Sequence, residues 1–153
     1  MERIASFSVD HRKIGKGMYI SRIDGDVVTY DLRMCLPNAG SYLSDAPLHT
    51  FEHLLATHVR NSRFKNEIVY AGPMGCRTGF YLLVRDKMSH ADTLALLKES
   101  MAFIAGFSGT IPGASEPECG NWLCHDLAGA KEYAADYLRV LEGWSVEKMT
   151  YPQ

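Results

Sequence analysis

The sequence predicts an α+β fold: a small, mainly antiparallel sheet with about three helices packed on one face. Three observations carry this. Asp24-Gly25-Asp26 separates two β-rich runs, the signature of a hairpin. Three stretches, near 46–61, 90–106 and 127–142, place apolar residues three and four apart. Strands and helices do not alternate in the regular way that a doubly wound parallel sheet requires. At 153 residues the chain reads as one domain, 1–153. A domain of that size buries roughly 70% of its unfolded surface, enough for a real core.

Taken in order, residues 1–16 are polar with scattered apolar positions and read as a solvated arm. Met18 to Ile23 and Val27 to Cys35 are the hairpin strands. In the second, Tyr30, Leu32 and Met34 alternate with Thr29, Asp31, Arg33 and Cys35, as in a half-buried strand. Arg33 on the polar face is a solvated charge or an anion clamp, and alternation does not choose. Pro37 and Gly40 end the run. Ser44 or Asp45 can cap the first helix, about 46–61, with Pro47 tolerated in its first turn. Glu67 to Ala71 is a short strand leading into the loop Gly72-Pro73-Met74-Gly75-Cys76-Arg77-Thr78-Gly79, and Phe80 to Arg85 is the next strand. Ser89 and Asp92 fit a capping box at the second helix, about 90–106. Glycines and prolines make 106–118 a loop, and Cys119 to His125 reads as a short strand. Asp126 caps the third helix, about 127–142, with Leu127, Ala130, Ala134, Tyr137, Leu138 and Leu141 as its core stripe.

Composition excludes several function classes. The net charge of −2 offers no broad basic field for nucleic acid or anionic lipid. The N-terminal residues lack the apolar run of a secretory signal. The most apolar window, Leu94 to Phe107, carries Lys98 and Glu99 and is too short to span a bilayer. The expectation is a cytoplasmic protein whose four cysteines, Cys35, Cys76, Cys119 and Cys124, are free thiols or metal ligands.

The chemistry centres on His49-Thr50-Phe51-Glu52-His53 in the first helix, an H-x-x-E-H pattern. On a helix the three chemical side chains fall within a sector of about 100°, so two imidazoles can grip one divalent metal beside a carboxylate. A third protein ligand is needed. Cys119, Cys124, His125, Glu116, Glu118, His58, His90 and Cys76 are candidates, with His58 poorly phased on the helix. A thiolate suits Zn or Fe(II). Cys119, between a flexible loop and Gly120, can approach a helix face. With Cys119 and Cys124 both bound, the site would instead be closed and structural. With Glu116 or Glu118 as third ligand, Glu52 would activate water in a metallopeptidase. Cys76, in its glycine-rich loop beside Arg77, is either a reactive thiol or an inert one. An open metal position, a carboxylate and a reactive thiol together make an acid–base site.

These segments resemble the LuxS family of S-ribosylhomocysteine lyases. The resemblance rests on His49-Thr-Phe-Glu52-His53-Leu-Leu, on Gly72-Pro-Met-Gly-Cys76-Arg-Thr-Gly-Phe-Tyr, and on Glu118-Cys119-Gly120 with His125-Asp-Leu-x-Gly-Ala-Lys. Ser6-Phe-Ser-Val-Asp-His11 and Asp31-Leu-Arg33-Met-Cys-Leu-Pro-Asn38 match the family's opening segments, so the likeness runs from Ser6 to about Lys131. It implies cleavage of S-ribosylhomocysteine to homocysteine and 4,5-dihydroxy-2,3-pentanedione, the autoinducer-2 precursor of quorum sensing, with homocysteine recycled to the methionine cycle. It implies Fe(II), replaceable by Zn or Co, on His49, His53 and Cys119. It implies Glu52 and Cys76 as the proton-transfer pair, with Ser6, His11, Arg33 and Arg60 around the substrate. It also implies a homodimer with its sites at the interface. One departure stands out: many members carry aspartate six residues before the loop cysteine, where this chain has Tyr70.

Overall fold

The computed structural model describes residues 1–153. Four strands form one antiparallel sheet: β1 (Gly17–Asp24), β2 (Val27–Arg33), β3 (Ile68–Pro73) and β4 (Gly79–Arg85), in the order β1-β2-β4-β3. The hairpin closes on Gly25-Asp26, with Asp24 opposite Val27 and Gly25 at φ +59°. Three helices follow the expected stretches: α1 (Asp45–Arg60), α2 (His90–Ala105) and α3 (Leu127–Glu142). Two of the three foreseen side-chain caps form, Ser89 accepting from the Asp92 N–H and Asp126 from the Gly129 N–H. At α1, Ser44 holds the cap position without a side-chain cap bond, and its own N–H donates to the Tyr133 hydroxyl.

The core lies between the sheet and the helices. Met18, Tyr30, Leu32, Phe80, Leu82 and Val84 meet Phe51, Leu54 and Leu55 of α1, Leu97 and Met101 of α2, and Ala134 and Tyr137 of α3. Phe51 packs on Phe80 with ring centroids 4.8 Å apart. This fixes the face of α1 that carries His49, Glu52 and His53 away from the sheet.

Two expectations are corrected. β2 is not half-buried: Asp31 is 0% and Arg33 2% exposed. The chain end explains this, because it folds back over that face of the sheet. Met149 accepts from the Ile20 N–H, Tyr151 stacks on Tyr19 at 5.0 Å, and the Tyr151 hydroxyl donates to Asp31. The segment Cys119 to His125 is a run of turns, not a strand. Its amides bond locally, Cys119 N–H to Ser115 and Cys124 N–H to Asn121, and it joins no sheet edge. The N-terminal arm is largely exposed, as expected, apart from a short 3₁₀ turn at Ala5–Phe7 and the buried Ile14.

Candidate metal centre and thiol site

α1 projects His49 and His53 from adjacent turns toward the segment that follows the 106–118 loop. His49 Nε2 lies 3.5 Å, and His53 Nε2 3.9 Å, from Cys119 Sγ. The other nitrogen of each ring is fixed by a carbonyl. His49 Nδ1 is 2.7 Å from the Cys124 carbonyl and His53 Nδ1 2.7 Å from that of Pro112. A carbonyl only accepts, so each Nδ1 carries the hydrogen and each Nε2 presents a lone pair to the cluster. Gly113 permits the second contact. Its φ is +70°, and a Cβ there would meet His53 Nδ1 at 3.2 Å.

Of the eight candidate third ligands, two reach the cluster. One is Cys119 and the other His125, whose ligand atoms lie within 4.8 Å of those of His49 and His53. The His125 ring stacks on His49 at 4.1 Å. Burial, then the neighbouring charges of His49 and His53, holds its pKa below the usual histidine value. The remaining candidates are engaged elsewhere or exposed. His58 bonds Ser100, His90 bonds Tyr30, and Cys76 bonds Thr78. Glu118 takes the Ser115 hydroxyl, and Glu116 is exposed. Cys124 serves through its backbone carbonyl. The donor set of two imidazoles and a thiolate fits a borderline-soft divalent cation such as Zn or Fe(II). Glu52 lines a surface recess with His49, Asp45, Leu48, Asn121 and Cys124.

The second centre lies on the loop between β3 and β4. Cys76 is exposed, and the backbone turns sharply after it, with Arg77 at φ +56°. The neighbouring Thr78 is buried. Its Oγ1 accepts from Arg33 Nη1 at 2.7 Å and lies 3.0 Å from Cys76 Sγ, a contact in which either the hydroxyl or the thiol can donate. Arg33 is itself held by Asp31. Burial opposes its charge, but the bonds and charge of Asp31 outweigh this, and its pKa shifts up. His11 and Arg33 share a cavity of about 170 Å³ with Cys76.

Within the single chain the Cys76 cavity and the Glu52 recess have no lining residue in common. Ser6 lines a third cavity, on the outer face of the sheet, with Ile4, Tyr70, Tyr81 and Leu83. Arg60 is exposed and donates to the Val69 carbonyl. Thr78 went unnoticed in the sequence, although its place two residues after a loop cysteine is a usable signal. The Pro112 and Cys124 carbonyls carried no signal, since every residue has one.

An α+β chain that gathers two helical histidines and a distant cysteine around an accessible carboxylate is, as a class, a candidate metalloenzyme. The family model for S-ribosylhomocysteinase (LuxS) matches residues 4–148, and the chain belongs to that family. Its relatives include proteins named S-ribosylhomocysteine lyase. That of Desulfotalea psychrophila is 44% identical, over 99% of both chains. That of Clostridium acetobutylicum is 43% identical over 100% of both, and that of Porphyromonas gingivalis 46% over 99% of both.

Proposed function

We propose that this chain is a metal-dependent carbon–sulfur lyase that cleaves S-ribosylhomocysteine to homocysteine and 4,5-dihydroxy-2,3-pentanedione. The observation that carries it is the convergence of His49 Nε2, His53 Nε2 and Cys119 Sγ beside Glu52, in a full-length member of this family.

The substrate is an aldose with a thioether at C5. Moving its carbonyl from C1 to C2 and then to C3 makes the C4 proton acidic. Loss of that proton forms a C4–C5 double bond and expels the C5 thiolate with its electron pair, and the resulting enol takes up a proton at C5 to become the dione. Protons only are exchanged, so no external oxidant is needed. A divalent cation held by His49, His53 and Cys119 supplies Lewis acidity for substrate oxygens that gain charge. Fe(II), replaceable by Zn or Co, suits this donor set. Cys76 takes and returns the protons of the two isomerisations, with the Thr78 hydroxyl and Arg33 behind it. Glu52 carries the later transfers, including removal of the C4 proton.

The chain acts as one domain over 1–153 and as a homodimer. The separation of the Cys76 cavity from the Glu52 recess supports this, since a second copy would bring one face to the other. His11 and Arg33 then meet substrate beside Cys76, and Ser6 and Arg60 complete the pocket from the arm and the end of α1. Four free cysteines suit a reducing cytoplasm. The dione serves as precursor of autoinducer-2 in quorum sensing, while homocysteine returns to the methionine cycle.

The test is to supply S-ribosylhomocysteine to anaerobically metal-loaded protein and titrate released thiol. Turnover is expected, and Cys76→Ala should lose at least about 100-fold, the scale of a positioned acid–base group. No thiol from metal-replete dimer would refute the lyase assignment. Full turnover by Cys76→Ala would refute the role given to that thiol.

A further inference from the structure

Three histidines crowd the metal centre, and their hydrogen-bond partners mark one of them as different. His49 and His53 rest their Nδ1 atoms on carbonyls, which only accept. His125 rests Nδ1 on a hydroxyl, Thr50 Oγ1, at 2.9 Å. A hydroxyl can donate or accept, so its other contacts decide.

Thr50 Oγ1 already accepts from the Asp126 N–H at 2.9 Å. Its proton still needs an acceptor. In α2, Thr93 and Ser100 give their protons to carbonyls four residues back, Ser89 at 2.9 Å and Leu96 at 2.7 Å. Thr50 makes no such bond in α1, and its remaining partner is His125 Nδ1. The His58–Ser100 pair shows the opposite case. There Leu96 takes the Ser100 proton, so His58 Nδ1 must donate across its 2.9 Å contact. At Thr50 the hydroxyl donates and His125 Nδ1 accepts. A neutral imidazole that accepts at Nδ1 carries its hydrogen on Nε2.

That Nε2 is the one buried side-chain nitrogen or oxygen in the chain with no partner. A metal ligand would need a lone pair there, whereas this tautomer offers N–H. No protein acceptor meets it, so an acceptor has to arrive with whatever occupies the centre.

We propose that His125 is a hydrogen-bond donor of the metal centre and not its fourth ligand: Thr50 and the Asp126 amide lock the Nε2–H tautomer, and that N–H receives an oxygen of the ribosyl substrate. The proposal rests on the lyase reading for the identity of that oxygen, though not for the tautomer. Thr50 is then a positioning residue, acting through the ring it orients. Three imidazoles and a thiolate would otherwise close the coordination sphere. With His125 turned to N–H, three ligands remain and one position stays open.

The test uses Zn-loaded full-length protein with ¹⁵N-labelled histidine. Long-range ¹H–¹⁵N spectra should show His49 and His53 with Nδ1–H and metal-shifted Nε2, and His125 with Nε2–H and a bare Nδ1. His125 with a metal-shifted Nε2 overturns the proposal. This readout needs no substrate, so absence of thiol release would sink the lyase reading and leave the tautomer result standing. His125→Phe keeps the stacking ring and removes the N–H. It should bind one metal per chain as wild type does, and lose about 10- to 100-fold in kcat/KM, the scale of a hydrogen bond to a charged group. Metal loss in this variant, or unchanged kcat/KM with metal bound, overturns the donor role. Thr50→Val should free the ring to adopt the other tautomer and lower kcat/KM with metal retained, while Thr50→Ser restores both the spectrum and the rate. A Thr50→Val protein that keeps the wild-type His125 spectrum breaks the argument at its first step.

Discussion

At the scale of single residues, two cysteines five positions apart do different work. Cys119 brings its sulfur to the histidine pair, while Cys124 gives only its carbonyl to His49 Nδ1. Any residue supplies a carbonyl. Cys124→Ala is therefore expected to keep one metal per chain, and Cys119→Ala to lose most of it, as measured by metal analysis after gel filtration. Equal loss in both variants would point to a closed site with two thiolates. The same logic explains why the H-x-x-E-H pattern alone could not name the third ligand. His58 and His90 have the right chemistry, but Ser100 and Tyr30 hold them elsewhere.

At the scale of elements, β2 and β4 set the thiol site. Their register places Arg33 opposite Gly79, directly beside Thr78. A Cβ on Gly79 would lie 2.0 Å from the Leu32 carbonyl oxygen, which belongs to the strand backbone and cannot move aside. Gly79→Ala should cost about 1–3 kcal/mol or more in chemical denaturation, as overpacking does, and disturb the Arg33–Thr78–Cys76 chain with it. A variant as stable as wild type would show that the two strands can separate locally. The α1–α2 contact makes a second prediction. His58 packs on Phe103 at 4.6 Å and bonds Ser100, and burial lowers its pKa against a weaker opposing pull from Glu99. Its folded value lies below the unfolded 6.5, so the unfolded chain binds the proton first. Its contribution to stability is complete above that value and declines as pH falls through 6.5 toward the folded pKa. Thermal melts of metal-free protein between pH 7.5 and 5 should show this decline, and His58→Gln should flatten part of it. Parallel curves for the two proteins would remove His58 as a cause.

At the scale of the whole molecule, the outer face of the sheet is covered unequally. The chain end seals Tyr19 and Asp31 under Tyr151, while Tyr70, at 52% exposure, and Leu83 line an open cavity with Ile4 and Ser6. No helix is long and apolar enough to cross a membrane. We expect sedimentation to give about twice the 17.1 kDa chain mass. Leu83→Arg should shift the protein toward monomer, retain metal and lose thiol release, because the metal cluster is intact within one chain and the Cys76 and Glu52 cavities share no lining residue there. A fully active monomer would refute the shared site.

The sequence by itself determined the local parts: three helices at nearly their final bounds, the caps at Ser89 and Asp126, the β-hairpin, and the placing of His49, Glu52 and His53 on one face of α1. These follow from periodicity and side-chain chemistry within a few residues. Only the tertiary structure decided why Arg33 is buried and which ring nitrogen each histidine turns to the centre, and it brings Cys119, the cysteine that the family resemblance implies, up to those histidines. Those outcomes depend on partners far along the chain, Tyr151 for Asp31, Pro112 for His53 and Thr50 for His125. The choice of ring nitrogen depends further on the direction of a hydrogen bond, which no spacing in the sequence encodes.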